Sequence, residues 1–310
     1  MNVLVTGGAG FIGSHLVYKL LKNGDKVVVL DKFHRISTQL FSAHYHNKNL
    51  KLRRVDITDD SQIKLSYFKD IDWVFHLAAL STVFSTNKSF LDYHRVNVNG
   101  TVNVLELSRR NGIKKFVYAA SASCYGSAGV YPTPEKAKIR PGDAYGFTKY
   151  IGELYSLHWW QVYKLPVISL RLFNVYGPKE HFYTTYGPVL SAFVSQKLAG
   201  VPYTVAGDGR QSRDFVFVSD VVDAFIRAAK SPVAGEVFNV GSGKTHSIKR
   251  VVALLGGRVI HEPMLSGQPD RSQADISKIK KLLGWHPKVA FADGIKIVHK
   301  NIEYWKMHSP

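Results

Sequence analysis

In the first half of this 310-residue chain, short apolar runs alternate with helix-length periodic segments. Strand candidates fall at residues 3–6, 26–30, 50–53, 73–76, 116–119 and 167–170, with amphipathic stretches such as 12–21, 101–110 and 144–160 between them. Parallel strands need long crossovers, and helical crossovers cover both faces of the sheet, so this rhythm restricts the chain to an α/β fold. The rhythm breaks near residue 175, where Tyr176-Gly177-Pro178, Tyr186-Gly187-Pro188 and Gly207-Asp208-Gly209 punctuate a looser region. A helix near 218–229 and a strand near 237–240 are placed to rejoin the first sheet. The expectation is a Rossmann-type, doubly wound parallel sheet over 1–175 plus 215–241. A smaller, discontinuous lobe covers 176–214 plus 242–310.

The charge balance is 41 Lys+Arg against 23 Asp+Glu, a net +18, with 45% apolar residues. That apolar fraction is ordinary for a globular chain, and the positive excess favours anionic partners. The basic residues are scattered rather than massed in a tail, and no aromatic-studded basic run suggests a single-strand platform, which argues against nucleic acid. No apolar run approaches the length of a membrane span, and Met1-Asn2 runs straight into strand-like Val3-Leu4-Val5 without a basic leader. One cysteine, Cys124, excludes an internal disulfide and a multi-cysteine zinc site, and suits a reducing compartment. His44 and His46 have no carboxylate or cysteine companions at metal-ligand spacing. The expectation is a cytoplasmic protein without a metal or a membrane partner.

Gly7, Gly10 and Gly13 are spaced by three between the first strand and the first helix. In such a loop the first glycine allows a tight turn, the second lets a pyrophosphate approach the backbone, and the third lets helix pack on strand. Free N–H groups at the helix start then hold the phosphates. Asp31 ends the second strand 18 residues past Gly13, where a carboxylate accepts from ribose hydroxyls and repels a 2′-phosphate. The pattern predicts a dinucleotide, NAD rather than NADP, although Lys32 and Arg35 beside Asp31 soften that preference. A second glycine cluster, Gly241-Ser242-Gly243-Lys244-Thr245, imitates the end of a P-loop. The glycine which that motif needs five residues before Gly243 is Phe238, so a turn after a strand is expected instead.

Tyr145 and Lys149 stand four apart, on one face of a helix. A phenol with a pKa near 10 is a poor base at neutral pH, but a neighbouring ammonium and an oxidised nicotinamide ring favour its phenolate.

Several motifs in order give the chain its family character: the Gly7–Gly13 loop, His76-Leu77-Ala78-Ala79, Tyr145 with Lys149, Arg171 to Pro178, Arg213 to Val218, and Ala274-Asp275-Ile276-Ser277. Over essentially its whole length the chain resembles the extended short-chain dehydrogenase/reductases, and within them the nucleotide-sugar epimerases and dehydratases. The resemblance implies an NAD site formed by Gly7, Gly10, Phe11, Ile12, Gly13, Asp31 and Lys32, with Asp56 and Ile57 bordering the adenine. Leu77, Ala78, Ala79 and Leu80 would line the dinucleotide, and Asn97 or a neighbour such as Asn99 would support the site or cap the next helix. It assigns Ser121, Tyr145 and Lys149 to catalysis, with Ser123 as a further polar contact.

Related dehydratases carry an Asp-Glu pair where Ala122 and Ser123 stand, and related decarboxylases carry a Glu at the Ser123 position. Their absence points to the chemistry that needs only hydride and proton transfer, epimerisation at C4 through a 4-keto sugar, and the resemblance implies a UDP-hexose as the substrate. Such a reaction has no net redox change, so NAD stays bound between turnovers. For the substrate, the resemblance implies Arg213 and Asn174 at the diphosphate and Ser81 and Thr82 at the hexose. Arg271 lies one residue out of register with a second phosphate arginine, and the small Ser272 admits an N-acetyl group. It also implies a homodimer through the Tyr145 helix and the helix after Asn99, while the Trp159-Trp160 pair reads equally as core. Two alternatives stay open. One is another nucleotide-sugar oxidoreductase, and the other is a non-catalytic relative that binds RNA or protein through its basic surface.

Overall fold

The computed structural model describes residues 1–33, 47–81, 89–178, 188–263 and 269–308, the last six of these as helical backbone only. Strands β1 (Asn2–Thr6), β2 (Lys26–Asp31), β3 (Leu50–Arg54), β4 (Trp73–His76), β5 (Lys115–Ser121) and β6 (Val167–Leu172) build one sheet. Four short strands follow, β7 (Asn174–Tyr176), β8 (Tyr203–Ala206), β9 (Ser212–Arg213) and β10 (Phe215–Phe217). Then β11 (Glu236–Val240) returns to pair with β6, giving seven parallel strands in the order β11-β6-β5-β4-β1-β2-β3. Outside the sheet, β12 (His246–Ser247) pairs with β9, and β13 (Val259–Glu262) pairs with β8. The helices are α1 (Phe11–Lys22), α2 (Phe90–His94), α3 (Gly100–Arg110), α4 (Ala144–Tyr163), α5 (Val189–Leu198), α6 (Val218–Lys230), α7 (Ile248–Leu255), α8 (Ser277–Leu283) and α9 (Phe291–His308).

Both faces of the sheet are buried, as the apolar runs require. Val3 and Val5 join one cluster with Leu16 and Val17 of α1 and Val221 and Phe225 of α6. Leu4, between them, points into another with Val104 and Leu105 of α3 and with Phe116 and Tyr118. Period-2 alternation in which neither face is polar is the signature of a central parallel strand. A further cluster gathers Tyr176, Phe193, Tyr203, Phe215, Val251 and Ile295, and Ile12 packs against both it and the α1–α6 face.

The chain order reverses between β1 and β4. It runs from β1 outward through β2 to β3, then resumes at β4 on the other side of β1 and continues to β5, β6 and β11. A crevice at the carboxyl ends of strands forms at such a switch point.

Two features differ from the sequence reading. The helix expected at 101–110 continues a longer one: α2, a π turn over Arg95–Asn99 and α3 run on without a break. Asn99 makes no capping bond. The start is capped by Ser89 and Asp92, a capping box whose S-x-x-D spacing is visible in the sequence. The Gly241–Thr245 turn does follow a strand, but its N–H groups are engaged: Ser242 N, at 2.6 Å, and Gly243 N, at 3.0 Å, donate to the carboxylate of Asp214. The protein's own anion fills the nest that the glycines create.

α4 lies close against β5 because Gly152 has no side chain. A Cβ there would come within 2.3 Å of Tyr118 Oη and 3.1 Å of Asn97 O. Replacing a helical glycine by alanine ordinarily gains about 1 kcal/mol. Here overpacking, at about 1–3 kcal/mol, outweighs it. Gly152→Ala is expected to lower the midpoint of thermal unfolding, and a higher midpoint would contradict this packing.

Candidate active site

The crevice begins at the β1–α1 turn. Gly7 has φ +67°, and a Cβ on it would come within 2.6 Å of Ala78 N; a Cβ on Gly13 would come within 2.2 Å of Gly7 O. These two glycines are required by close backbone approach. Gly10 differs: a Cβ there would meet only Gly7 O, at 3.3 Å, so its outer side is open. Gly10 is the N-cap of α1 without a side-chain cap bond, and the first helical turn carries no acid. An open glycine beneath unsatisfied N–H groups fits a pyrophosphate.

Asp31 stands at the end of β2, its Oδ2 accepting from Ala9 N at 3.0 Å and its Oδ1 from Phe33 N at 2.9 Å. These bonds aim the carboxylate at the glycine loop and leave lone pairs for two hydroxyls. Lys32 Nζ is 2.8 Å from Asp56 Oδ2, so its charge is shared with a neighbouring carboxylate. Asp56 Oδ1 accepts from Thr58 N and Oγ1, and Ile57 is buried against Gly100. Leu77 N donates to Thr6 O, and Ala78 N to Thr6 Oγ1 at 3.3 Å, so the loop after β4 borders the loop after β1. Phe11 opens α1 with its ring edge on His15, and Ala79 is exposed on the loop.

Ser121 ends β5 and caps the short turn Ala122–Tyr125; its hydroxyl bonds Ser123 Oγ at 3.1 Å and the Tyr145 phenol. Ser123 is exposed. α4 starts at Asp143, whose side chain accepts from Gly146 N at 2.6 Å, and this cap sets Tyr145 in the first turn and Lys149 in the second. Lys149 is 2% exposed, with its Nζ over the Tyr118 ring, 4.2 Å from the centroid. Burial pushes the Lys149 ammonium down to about 7, opposed by Glu153 one turn further on. Burial also holds the Tyr145 phenol above its ordinary value, while the Ser121 hydrogen bond pulls it down. The ammonium rests on Tyr118, so in this arrangement Ser121 is the main group favouring the phenolate.

A polar network of which the sequence reading found only Asn97 holds this set from below. Buried His76 is bonded at Nδ1 to Thr6 Oγ1, 2.6 Å, and at Nε2 to Thr101 Oγ1, 2.9 Å. Thr101 gives its own proton to Asn97 O, which assigns the remaining ring proton to Nε2 and leaves His76 neutral. Burial, with Lys149 near, holds its imidazole far below the usual range. Asn97 Oδ1 accepts from Leu80 N at 2.7 Å, and its Nδ2 donates to Leu80 O and to Thr148 Oγ1. It therefore ties the loop after β4 to α4 and supports the site, as one of its two expected roles required. A histidine and three hydroxyl or amide residues scattered over residues 6–101 carry no spacing signal.

On the other side of the crevice, Asn174 Nδ2 donates to Asp214 O at 3.0 Å. Arg213 Nη1 donates to Ser212 O, and a bridge between Ser212 and Arg271 sets the two arginine-bearing segments side by side. Arg271 lies over the Tyr131 ring, 5.5 Å from its centroid, and Ser272 N donates to Ser212 O at 3.1 Å. The structure thus gathers Arg213, Arg271 and Ser272, with Asn174 tied in through Asp214. Ser81 is partly buried at the end of the β4 loop. Thr82, Arg35, His44 and His46 lie outside the described residues. Among the described residues, no His, Cys, Asp and Glu group could hold a metal, and no helix is long and apolar enough to cross a membrane.

A family model described as the NAD dependent epimerase/dehydratase family matches residues 3–241. UDP-glucose 4-epimerase of Mycolicibacterium smegmatis is 37% identical over 319 aligned positions that cover 100% of both chains. The structure is similar to a UDP-N-acetylglucosamine 4-epimerase from Methanobrevibacter ruminantium in complex with UDP-N-acetylmuramic acid, with TM-score 0.91, 31% identity and 98% of each chain covered. It is similar also to a UDP-glucuronic acid 4-epimerase from Bacillus cereus in complex with UDP-glucuronic acid and NAD, with TM-score 0.90, 31% identity, and 98% of this chain and 99% of that one covered. The chain belongs to the NAD-dependent epimerase/dehydratase family of the short-chain dehydrogenase/reductase superfamily.

Proposed function

We propose that this protein is an NAD-dependent UDP-hexose 4-epimerase, an isomerase of the cytoplasm. The observation that carries this reading is the turn at 121–126. It presents Ser121 to Tyr145 and contains no carboxylate, in a family whose eliminating and decarboxylating members are expected to place one there. The lone cysteine, buried Cys124, suits a reducing compartment.

In this reading the sheet with α1, α3, α4 and α6 is the NAD domain, and residues 176–214 plus 242–310 form the sugar-nucleotide lobe. Gly7, Gly10 and Gly13 hold the pyrophosphate of NAD, Asp31 its adenosine ribose, Asp56 and Ile57 its adenine edge, and residues 77–79 its remaining length. Bound NAD supplies the hydride acceptor and donor at sugar C4, and its cationic ring adds positive charge that favours the Tyr145 phenolate. Tyr145 takes the proton of the 4-hydroxyl and returns it after the 4-keto sugar has presented its other face. Ser121 bonds the reacting oxygen, Ser123 the neighbouring one, and Lys149 supplies charge beneath the phenol. Arg213, Arg271 and Asn174 hold the UDP diphosphate, which lets the hexose turn while the handle stays fixed. Ser81 contacts the hexose, and the small Ser272 leaves space for an N-acetyl group.

We assign the dimer surface to α4, where Phe147, Leu154, Tyr155 and Val162 are exposed at helical spacing and the two charged residues of the helix, Lys149 and Glu153, are both buried. A second copy covering this stripe gives a homodimer. Trp159 and Trp160 are partly buried against the protein's own core.

Protein supplied with NAD and a panel of UDP-glucose, UDP-galactose and their N-acetylated forms is expected to interconvert the C4 epimers. Tyr145→Phe should lower kcat by about 10²–10⁴-fold with folding intact. Near-normal turnover in that variant removes the assignment of Tyr145, and failure on UDP-GlcNAc removes the role of Ser272.

Lys149 also has a stability signature. Its value near 7 lies below the ordinary 10.5, so between those pH values the unfolded chain binds more protons and stability rises with pH. Burying this cation is therefore a cost that is larger at low pH and fades towards pH 10.5. Lys149→Met should abolish turnover and raise the unfolding midpoint, by more at about pH 6.5 than at about pH 9. A variant less stable than wild type at both pH values would contradict the burial cost.

A further inference from the structure

Glu153 is 1% exposed and Arg171 5% exposed, and they meet inside the protein. Arg171 Nη2 and Nε donate to the two carboxylate oxygens of Glu153 at 2.6 and 3.0 Å, and Ser169 Oγ donates to Oε2 at 3.0 Å. The third guanidinium nitrogen turns the other way. Arg171 Nη1 donates to Tyr125 Oη at 2.7 Å and to Glu135 O at 2.9 Å, and Tyr125 Oη donates to Asn239 Oδ1. One guanidinium therefore joins the helix of Tyr145 and Lys149 to the turn that begins at Ser121. A buried pair is weak support for stability alone, since apolar residues of similar volume often serve as well.

We propose that Glu153 and Arg171 are positioning residues for the catalytic set: Glu153 preserves the positive charge of Lys149, and Arg171 braces the Ser121 turn against α4. The inference rests on the reading of Ser121, Tyr145 and Lys149 given above. Glu153 lies one helical turn from Lys149, on the same side of α4. The titratable groups packed around Lys149 are Tyr118 of β5 under its ammonium, His76 of β4, which is neutral, and Glu153 of its own helix, with Tyr145 one turn before it. Arg171 of β6 stands behind Glu153, Cys124 and Tyr125 belong to the turn, and the π turn presents neutral Asn97. Glu153 is the carboxylate of this set, and its effect opposes the burial that pushes the Lys149 ammonium down. Arg171 pairs with that carboxylate through two hydrogen bonds in the dry interior.

Titration of Lys149 by NMR in protein with 13C-labelled lysine side chains, its signal assigned with Lys149→Arg, tests the proposal. The wild type is expected to titrate near 7. Glu153→Gln should bring the midpoint down by about one pH unit or more. The alkaline limb of the kcat profile should move with it while KM for the UDP-sugar changes little. Glu153→Asp, which keeps the charge, should restore the wild-type midpoint. If Glu153→Gln does not fold, Glu153→Leu with Arg171→Met removes both charges together, a change that folding usually tolerates. A smaller shift in the same acid direction is expected there, because the Arg171 cation leaves with the carboxylate. A Lys149 midpoint unchanged in the folded Gln or double variant overturns the proposal and reduces the pair to structural support. The titration is read without substrate, so it stands apart from wild-type turnover of UDP-hexoses, whose absence would fail the functional reading instead.

Discussion

The structure depends on how closely two backbone turns approach at the middle of the sheet. Gly7 lies against Ala78, and Gly13 lies over Gly7, at separations that leave no room for a Cβ. Because β1 and β4 are neighbours whose connections leave in opposite directions, this contact is also where the sheet opens at its carboxyl edge. The NAD cradle, the Asn97 clasp on the β4 loop and the position of α4 over β5 are all referred to that point. A side chain at Gly7 would part the two turns, and the crevice would lose its floor.

Charge is handled differently on the two sides of this crevice. Lys149 is buried on an aromatic face, where its proton is weakly held, and the nearby carboxylate is engaged by Arg171. Asp214 lies among Ser242, Gly243 and Ala274 N–H groups, so one buried anion clamps the β10 region to the segments after β11 and before α8. Burial pushes the Asp214 carboxyl up, and those donors pull it back. Both arrangements cost solvation and yield fixed geometry. For a reaction in which a sugar must turn over without leaving, fixed walls and a movable ligand are a coherent division of labour.

Most of the sheet was legible in the sequence because parallel central strands are apolar on both faces and glycines punctuate their connections. The Gly7–Gly13 loop and the Tyr145–Lys149 spacing were legible for the same reason: each is a local pattern with one geometric meaning. The continuous helix from Phe90 is hard to read because Asn97 and Asn99 are cap-type residues that here lie inside the helix, which starts at the Ser89–Asp92 box. Glu153 and Arg171 carry no signal of their pairing in the sequence, because they lie 18 residues apart on different elements and only the packing of α4 on β6 brings them together. His76 with Thr6 and Thr101 is legible only once three elements are packed. Lys32 is read in sequence as a charge beside the cofactor, and its ion pair with Asp56, 24 residues away, is visible only in the fold.

The central claim is that this chain moves a hydride off and back onto the same sugar carbon. UDP-glucose deuterated at C4, incubated with the protein and NAD in ordinary water, tests that claim most directly. The account predicts UDP-galactose in which deuterium remains at C4. Epimer that has exchanged its deuterium for solvent hydrogen, or a product that has lost water in place of the epimer, would contradict it.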